Sequence, residues 1–256
     1  DFIIDASEYG TKNYKKWMME VERVRGQFAC LINGDIDEVA FIKNTSEGIS
    51  IVANGLDWQV RDNVVIPDIE FPSNVYPWWN LKRLGVETRM VKAKDGRILF
   101  DDLVNHTDNR TRIVSVSSVE CNSGFRNDLN RIGAFCKESN ILFFVDAIQS
   151  LGVLKMDVKR DNIDFLSADG HKWMLSVEGL GGFYISKNIF QYIPISKYLL
   201  TPLLLLCTLE DTARYAGLLL APAEGFGLRP RLFLPFGQKK SLFCCFGPFL
   251  AIFGVQ

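Results

Sequence analysis

Short apolar runs alternate with amphipathic stretches along the first 187 residues. Trp17, Val21, Val24, Phe28 and Leu31 recur every three or four positions, which predicts an amphipathic helix from about 9 to 33, stopped at Asn33-Gly34. Strands are expected over 38–42, 63–66, 86–91, 112–116, 141–145, 163–166 and 182–185, and helices over 46–56, 75–84 and 129–139. The strand runs are largely apolar without alternation, as in strands covered on both faces. The expected fold class is α/β, with a mostly parallel sheet and helices on each side.

The pattern changes after Lys187. Residues 198–209 and 242–255 are apolar, with several glycines and prolines and no periodicity between them. Each run is shorter than the ~18 residues of a membrane-spanning helix, and Pro202 and Pro248 interrupt them. A membrane hairpin is therefore the weaker reading. The stronger one divides the chain into a large domain over 1–187 and an atypical tail over 188–256 that is not a native second domain. A shifted reading frame or a wrongly joined exon would produce so abrupt a change. The chain also opens at Asp1 inside helix-like sequence, so a preceding segment is expected.

Composition narrows the function classes. Hydrophobic residues make up 48% and charged residues 23%, as in a soluble globular protein. A net charge of -1 gives no electrostatic case for nucleic acid or an anionic membrane as partner. Six cysteines form no C-x-x-C pair, and no signal peptide is evident, so reduced thiols and a cytoplasmic setting are expected. Asn44, Asn105 and Asn109 head N-x-[ST] triplets, which are chance matches in that setting.

The strongest chemical signal is Phe-Phe-Val-Asp146-Ala-Ile-Gln149, followed by Asp-Gly-His171-Lys172-Trp. A pyridoxal 5′-phosphate (PLP) site needs an amine to form an imine with the aldehyde. It also needs a carboxylate to keep the pyridine nitrogen protonated. Asp146 ends an apolar strand run, the place where open α/β sheets gather their ligands. Taken singly, each residue has a plainer explanation. Asp146 could cap a helix, Thr45-Ser46 could be an ordinary N-cap, Phe71 could be core, and His171-Lys172 a surface pair.

Together these segments resemble the PLP-dependent fold-type-I enzymes of the class V aminotransferase and cysteine desulfurase family. The resemblance implies that Asp146 faces the pyridine nitrogen, Gln149 bonds the ring hydroxyl and His171 contacts the phosphate. It makes Lys172 the Schiff-base lysine and proton shuttle. Phe41-Ile-Lys-Asn-Thr45-Ser46-Glu-Gly-Ile resembles the family's phosphate-binding helix start, and anion binding at a helix N-terminus supports Thr45 and Ser46 there. Glu70-Phe71-Pro-Ser-Asn74-Val-Tyr-Pro-Trp78 resembles the segment carrying the residue stacked on the ring, here Phe71. The resemblance further implies PLP as cofactor, an amino-acid substrate, a homodimer, and transferase or lyase chemistry.

The chain departs from the family pattern at several points. Asp169 stands where desulfurases commonly have a phosphate-binding serine, with Ser167 two positions further back. Cys121 stands where they have an asparagine, with Asn122 beside it. Glu178-Gly179-Leu-Gly181-Gly182 lacks the proline of the family's turn. The substrate-binding arginine and nucleophilic cysteine of the family's small domain have no recognisable counterpart among Arg214, Arg229, Arg231, Cys207, Cys244 and Cys245. An inactive fragment that keeps the PLP-binding fold is therefore the alternative expectation.

Overall fold

In the computed structural model, residues 2–190 are described; the tail, with its apolar runs, arginines and cysteines, lies outside them. The described chain falls into two units, residues 2–21 and 22–190. In the first, helix α1 (Phe2–Tyr9) ends at Gly10, whose φ of +58° favours glycine. The indole of Trp17 donates to Asp5 at 2.8 Å and packs edge-on against Phe2. The helix expected over 9–33 is α2, which starts later, at Tyr14, and runs to Ile32, while α1 precedes it. It stops where predicted, at Asn33, whose φ is +56°.

The larger unit is built on a seven-stranded sheet. Its strands are β1 (Val39–Ile42), β2 (Asn63–Pro67), β3 (Glu87–Val91), β4 (Thr111–Ser117), β5 (Leu142–Asp146), β6 (Phe165–Asp169) and β7 (Gly181–Ile185). The spatial order is β1-β7-β6-β5-β4-β2-β3. Only β7 runs against its neighbours, pairing antiparallel with both β1 and β6. The sheet is mostly parallel, as the apolar runs imply. Helices α3 (Thr45–Gly55), α4 (Tyr76–Trp79), α5 (Phe100–Asn105), α6 (Leu129–Glu138) and α7 (Lys187–Phe190) complete the unit.

Successive strand residues point to opposite faces, so each strand feeds two cores. Val65, Val114, Phe143 and Leu166 pack on one face with Ile132 and Cys136 of α6. Ile66, Ile113, Phe144 and Phe165 pack on the other with Ile49, Val52 and Ala53 of α3 and Trp78 of α4. Phe143, Phe144, Phe165 and Trp78 are fully buried, each worth roughly 1.5–3 kcal/mol by area removed from water.

Three local expectations change. The helix predicted over 75–84 is a one-turn α4 between two 3₁₀ segments, Pro72–Asn74 and Asn80–Leu84. Pro72 and Pro77 stand in the first turns of their segments, where a missing amide is tolerated, so each opens a new short turn. The strand expected over 163–166 lies at Phe165–Asp169, because apolar Ile163 sits in the core before the strand begins. Helix α5, which no apolar period announces, is held by buried Leu103.

Since β1, β2, β4, β5 and β6 run in one direction, their carboxyl ends share one edge of the sheet. The segments leaving that edge carry Thr45, Glu70, Ser118–Glu120, Asp146 and Lys172.

Candidate functional site

Asp146 is the last residue of β5 and is 1% exposed. Its Oδ1 accepts the Ile148 N–H at 3.0 Å, and the next amide, Ala147 N, donates to Ser167 O at 2.9 Å. Burial pushes the carboxyl up to about 6, opposed by the Ile148 bond and by the charge of Lys172. Gln149 follows, half-buried in the turn.

Lys172 lies in the loop after β6. Gly170 N donates to Leu180 O, Ser176 N to Gly170 O and Leu175 N to Lys172 O, closing the loop on itself. A Cβ at Gly170 would stand 2.8 Å from Leu180 O and 2.8 Å from Ser176 Cβ, so the glycine of Asp-Gly-His-Lys is a steric requirement. The ammonium of Lys172 sits 5.9 Å from the centre of the Phe71 ring, within reach of a cation–π contact. The Phe71 ring is 51% exposed.

After β1, Asn44 caps α3 by accepting from Glu47 N at 2.9 Å. Helix geometry leaves the amides of Thr45 and Ser46 without an intrahelical acceptor. Thr45 is buried and Ser46 exposed. Asp169 N donates to Thr45 Oγ1 at 3.0 Å, and Ser167 Oγ donates to Thr45 O at 3.2 Å. A Cβ on Gly48 would meet Ser167 Oγ at 2.3 Å, so α3 can approach β6 this closely only with glycine there. His171 Nδ1 stands 3.0 Å from Asp169 Oδ1, yet the angle makes no hydrogen bond and both enclosed atoms stay unsatisfied.

The structure therefore brings Lys172 over Phe71 and within electrostatic reach of Asp146, and gathers Thr45 and His171 around Asp169. Of the departures seen in the sequence, Ser167 is fully buried with its hydroxyl engaged on Thr45. Asn122 is exposed, and Cys121 is half-buried with its thiol pushed up by burial and by Glu120 and Glu70.

A buried polar network missing from the site residues picked out in the sequence supports the Phe71 loop. Trp78 Nε1 and Ser115 Oγ both donate to Asn74 Oδ1, at 2.9 and 2.6 Å. Glu70 accepts Ser117 N at 2.5 Å and Ser117 Oγ at 2.6 Å. Glu120 Oε1 accepts Asn127 Nδ2 at 2.8 Å. The spacing of Glu70, Asn74 and Trp78 by fours was the available signal for half of it. Glu120 and Asn127 carried no signal except a glutamate at an apolar strand exit.

These residues fit PLP. A buried carboxyl feels the charge of a lysine that stands over an aromatic ring, and the same sheet edge carries a helix N-terminus. The unsatisfied His171 and Asp169 atoms offer a donor and an acceptor there. Asp169 is the one member whose charge opposes a phosphate.

Comparisons with known proteins identify the family. The family model described as Aminotransferase class-V matches residues 8–199. A probable cysteine desulfurase of Methanothermobacter thermautotrophicus is 38% identical over 174 residues, covering 66% of this chain and 43% of its own. One from Pyrococcus abyssi is 33% identical, covering 80% and 50%. Among solved structures, the apo cysteine desulfurase of Thermococcus onnurineus superposes with a TM-score of 0.64 at 30% identity, over 67% of this chain and 44% of that one. The cystine C–S lyase C-DES, in complex with cysteine persulfide, superposes at 0.67 with 27% identity, over 73% and 52%. A variant of that lyase holds glycine covalently linked to its PLP cofactor. The chain spans about half the length of the relatives it matches. On the extent of the family match and the fold it shares with the desulfurases, the chain belongs to the class V aminotransferase family.

Proposed function

We propose that the chain binds PLP through Lys172 and acts on an amino acid as a cysteine desulfurase-like or aminotransferase-like enzyme. The observation that carries this reading is the pairing of buried Asp146 with Lys172 at the carboxyl edge of the sheet, beside the Phe71 ring.

When bound, PLP supplies an electrophilic aldehyde and an electron sink. Lys172 would offer the amine that binds the aldehyde and would be the group to hold or move a substrate proton. Asp146, ionised above about pH 6, would balance a positive charge on the ring nitrogen. Phe71 would cover one face of the ring and exclude water from it. Gln149 would bond the ring hydroxyl. The first turn of α3, with Thr45 and Ser46, and His171 would hold the phosphate. The family resemblance further supports a homodimer and a cytoplasmic setting. No helix among the described residues is long and apolar enough to cross a membrane.

The test is direct. Added PLP should give an absorbance band at about 420 nm, the region of a PLP imine. Borohydride reduction should then fix the cofactor on the peptide containing Lys172. A Lys172→Ala variant that keeps the band would sink the assignment. Turnover of cysteine or alanine decides between an active enzyme and a chain that only binds the cofactor.

A further inference from the structure

Beside Asp146 lie two more carboxyls, Glu70 and Glu120, 7% and 1% exposed. Glu70 is held as an acceptor: Ser117 donates its N–H to one oxygen and its hydroxyl to the other. Glu120 is held on one side only. Asn127 Nδ2 bonds its Oε1, and the same amide bonds Ser117 O at 2.8 Å, which locks the two glutamates onto one scaffold. Glu120 Oε2 is enclosed and has no hydrogen-bond partner among the described residues.

Apart from Asn127, the groups around Glu120 are acids. Glu70 and Asp68 approach from the segment after β2, Asp146 from β5, and Cys121 is its chain neighbour. The charge of Lys172 acts on Asp146 and Cys121. Two carboxylates this enclosed, tied to one scaffold through Ser117 and Asn127, cannot both ionise without a large penalty. Burial pushes both upward, helped by Asp146 and Asp68 at Glu120 and by Glu120 and Asp146 at Glu70; Glu120 reaches about 7 and Glu70 lies well above the usual range. The hydrogen bonds decide where a remaining proton sits. Glu70 already receives two donors, whereas Glu120 Oε2 receives none.

We propose that Glu70 and Glu120 share one proton across the neutral range, carried on Glu120 Oε2, so that the pair places one negative charge beside Asp146 and not two. The sharing stands on the protein alone, apart from the PLP reading.

The experiment is infrared spectroscopy of the full chain without cofactor, at pH 8. Asp146 and Asp164, held at about 6, are ionised there and silent. Wild type should keep a protonated-carboxyl carbonyl band. Glu120→Gln and Glu70→Gln should each abolish that same band, because either amide relieves the repulsion and lets the remaining glutamate ionise. No band in wild type, or a band that survives in either variant, overturns the shared proton. Circular dichroism checks each fold, and if one variant does not fold the other decides. Failure to bind PLP would sink the proposed function and leave the infrared result standing.

Discussion

Asp169 donates its backbone N–H to the hydroxyl of Thr45 at 3.0 Å, joining the end of β6 to the first turn of α3. Two segments more than 120 positions apart are thereby held in register where the phosphate site is proposed. Thr45→Val keeps the shape and removes the acceptor, leaving a buried N–H unpaired. It should cost about 1–3 kcal/mol in urea denaturation, and Thr45→Ser should recover most of it. PLP affinity should fall in Thr45→Val and not in Thr45→Ser.

Gly48 sets how closely α3 approaches β6. Gly48→Ala places a methyl 2.3 Å from Ser167 Oγ and 2.9 Å from its Cβ, so the helix must retreat. We expect a loss of about 1–3 kcal/mol from overpacking, read as a lower denaturant midpoint. PLP affinity should fall with it, because the helix N-terminus moves.

Asp146 makes the cofactor-free protein sensitive to pH. Its folded value is raised to about 6 from an ordinary 3.8, so the folded state holds more protons between those values. Stability is therefore greatest below the unfolded value and falls as pH rises through about 6. Asp146→Asn should remove this loss and make the cofactor-free chain about 1–3 kcal/mol more stable than wild type at pH 8. The same variant should lose the stabilisation that PLP confers on wild type. Denaturation at pH 5 and pH 8, with and without PLP, checks both halves.

Phe71 should matter to the cofactor more than to the fold. Its ring is 51% exposed, so Phe71→Ala should change the stability of the cofactor-free chain by less than 1 kcal/mol. Loss of the stacking face should weaken PLP binding by roughly 3- to 10-fold, as aromatic pairs are worth about 0.5–1.5 kcal/mol. A fluorescence titration with PLP measures it.

The site residues were legible because each sits next to a strong local signal. Asp146 ends an apolar run, Thr45-Ser46 opens an amphipathic helix, and Lys172 follows a glycine that a tight loop requires. Glu70 and Glu120 were not legible as a pair. Their relationship depends on β2 and β4 lying side by side, and on Ser117 and Asn127 reaching across 47 and 7 positions. Helix α5 and the broken 75–84 segment were missed or overextended for a local reason. Few apolar residues anchor the first, and the second winds as one α turn, opened by Pro77, followed by a 3₁₀ segment.

The sequence by itself determined the strands, their shared direction apart from β7, and the family, because apolar runs and short motifs are properties of neighbouring residues. Only the tertiary structure decided how Asp169 meets Thr45 and His171, why Gly48 must be glycine, and that three carboxyls crowd the edge where Lys172 enters. Those are consequences of close approach between distant segments, where burial removes water and leaves each charge to the neighbours the fold provides.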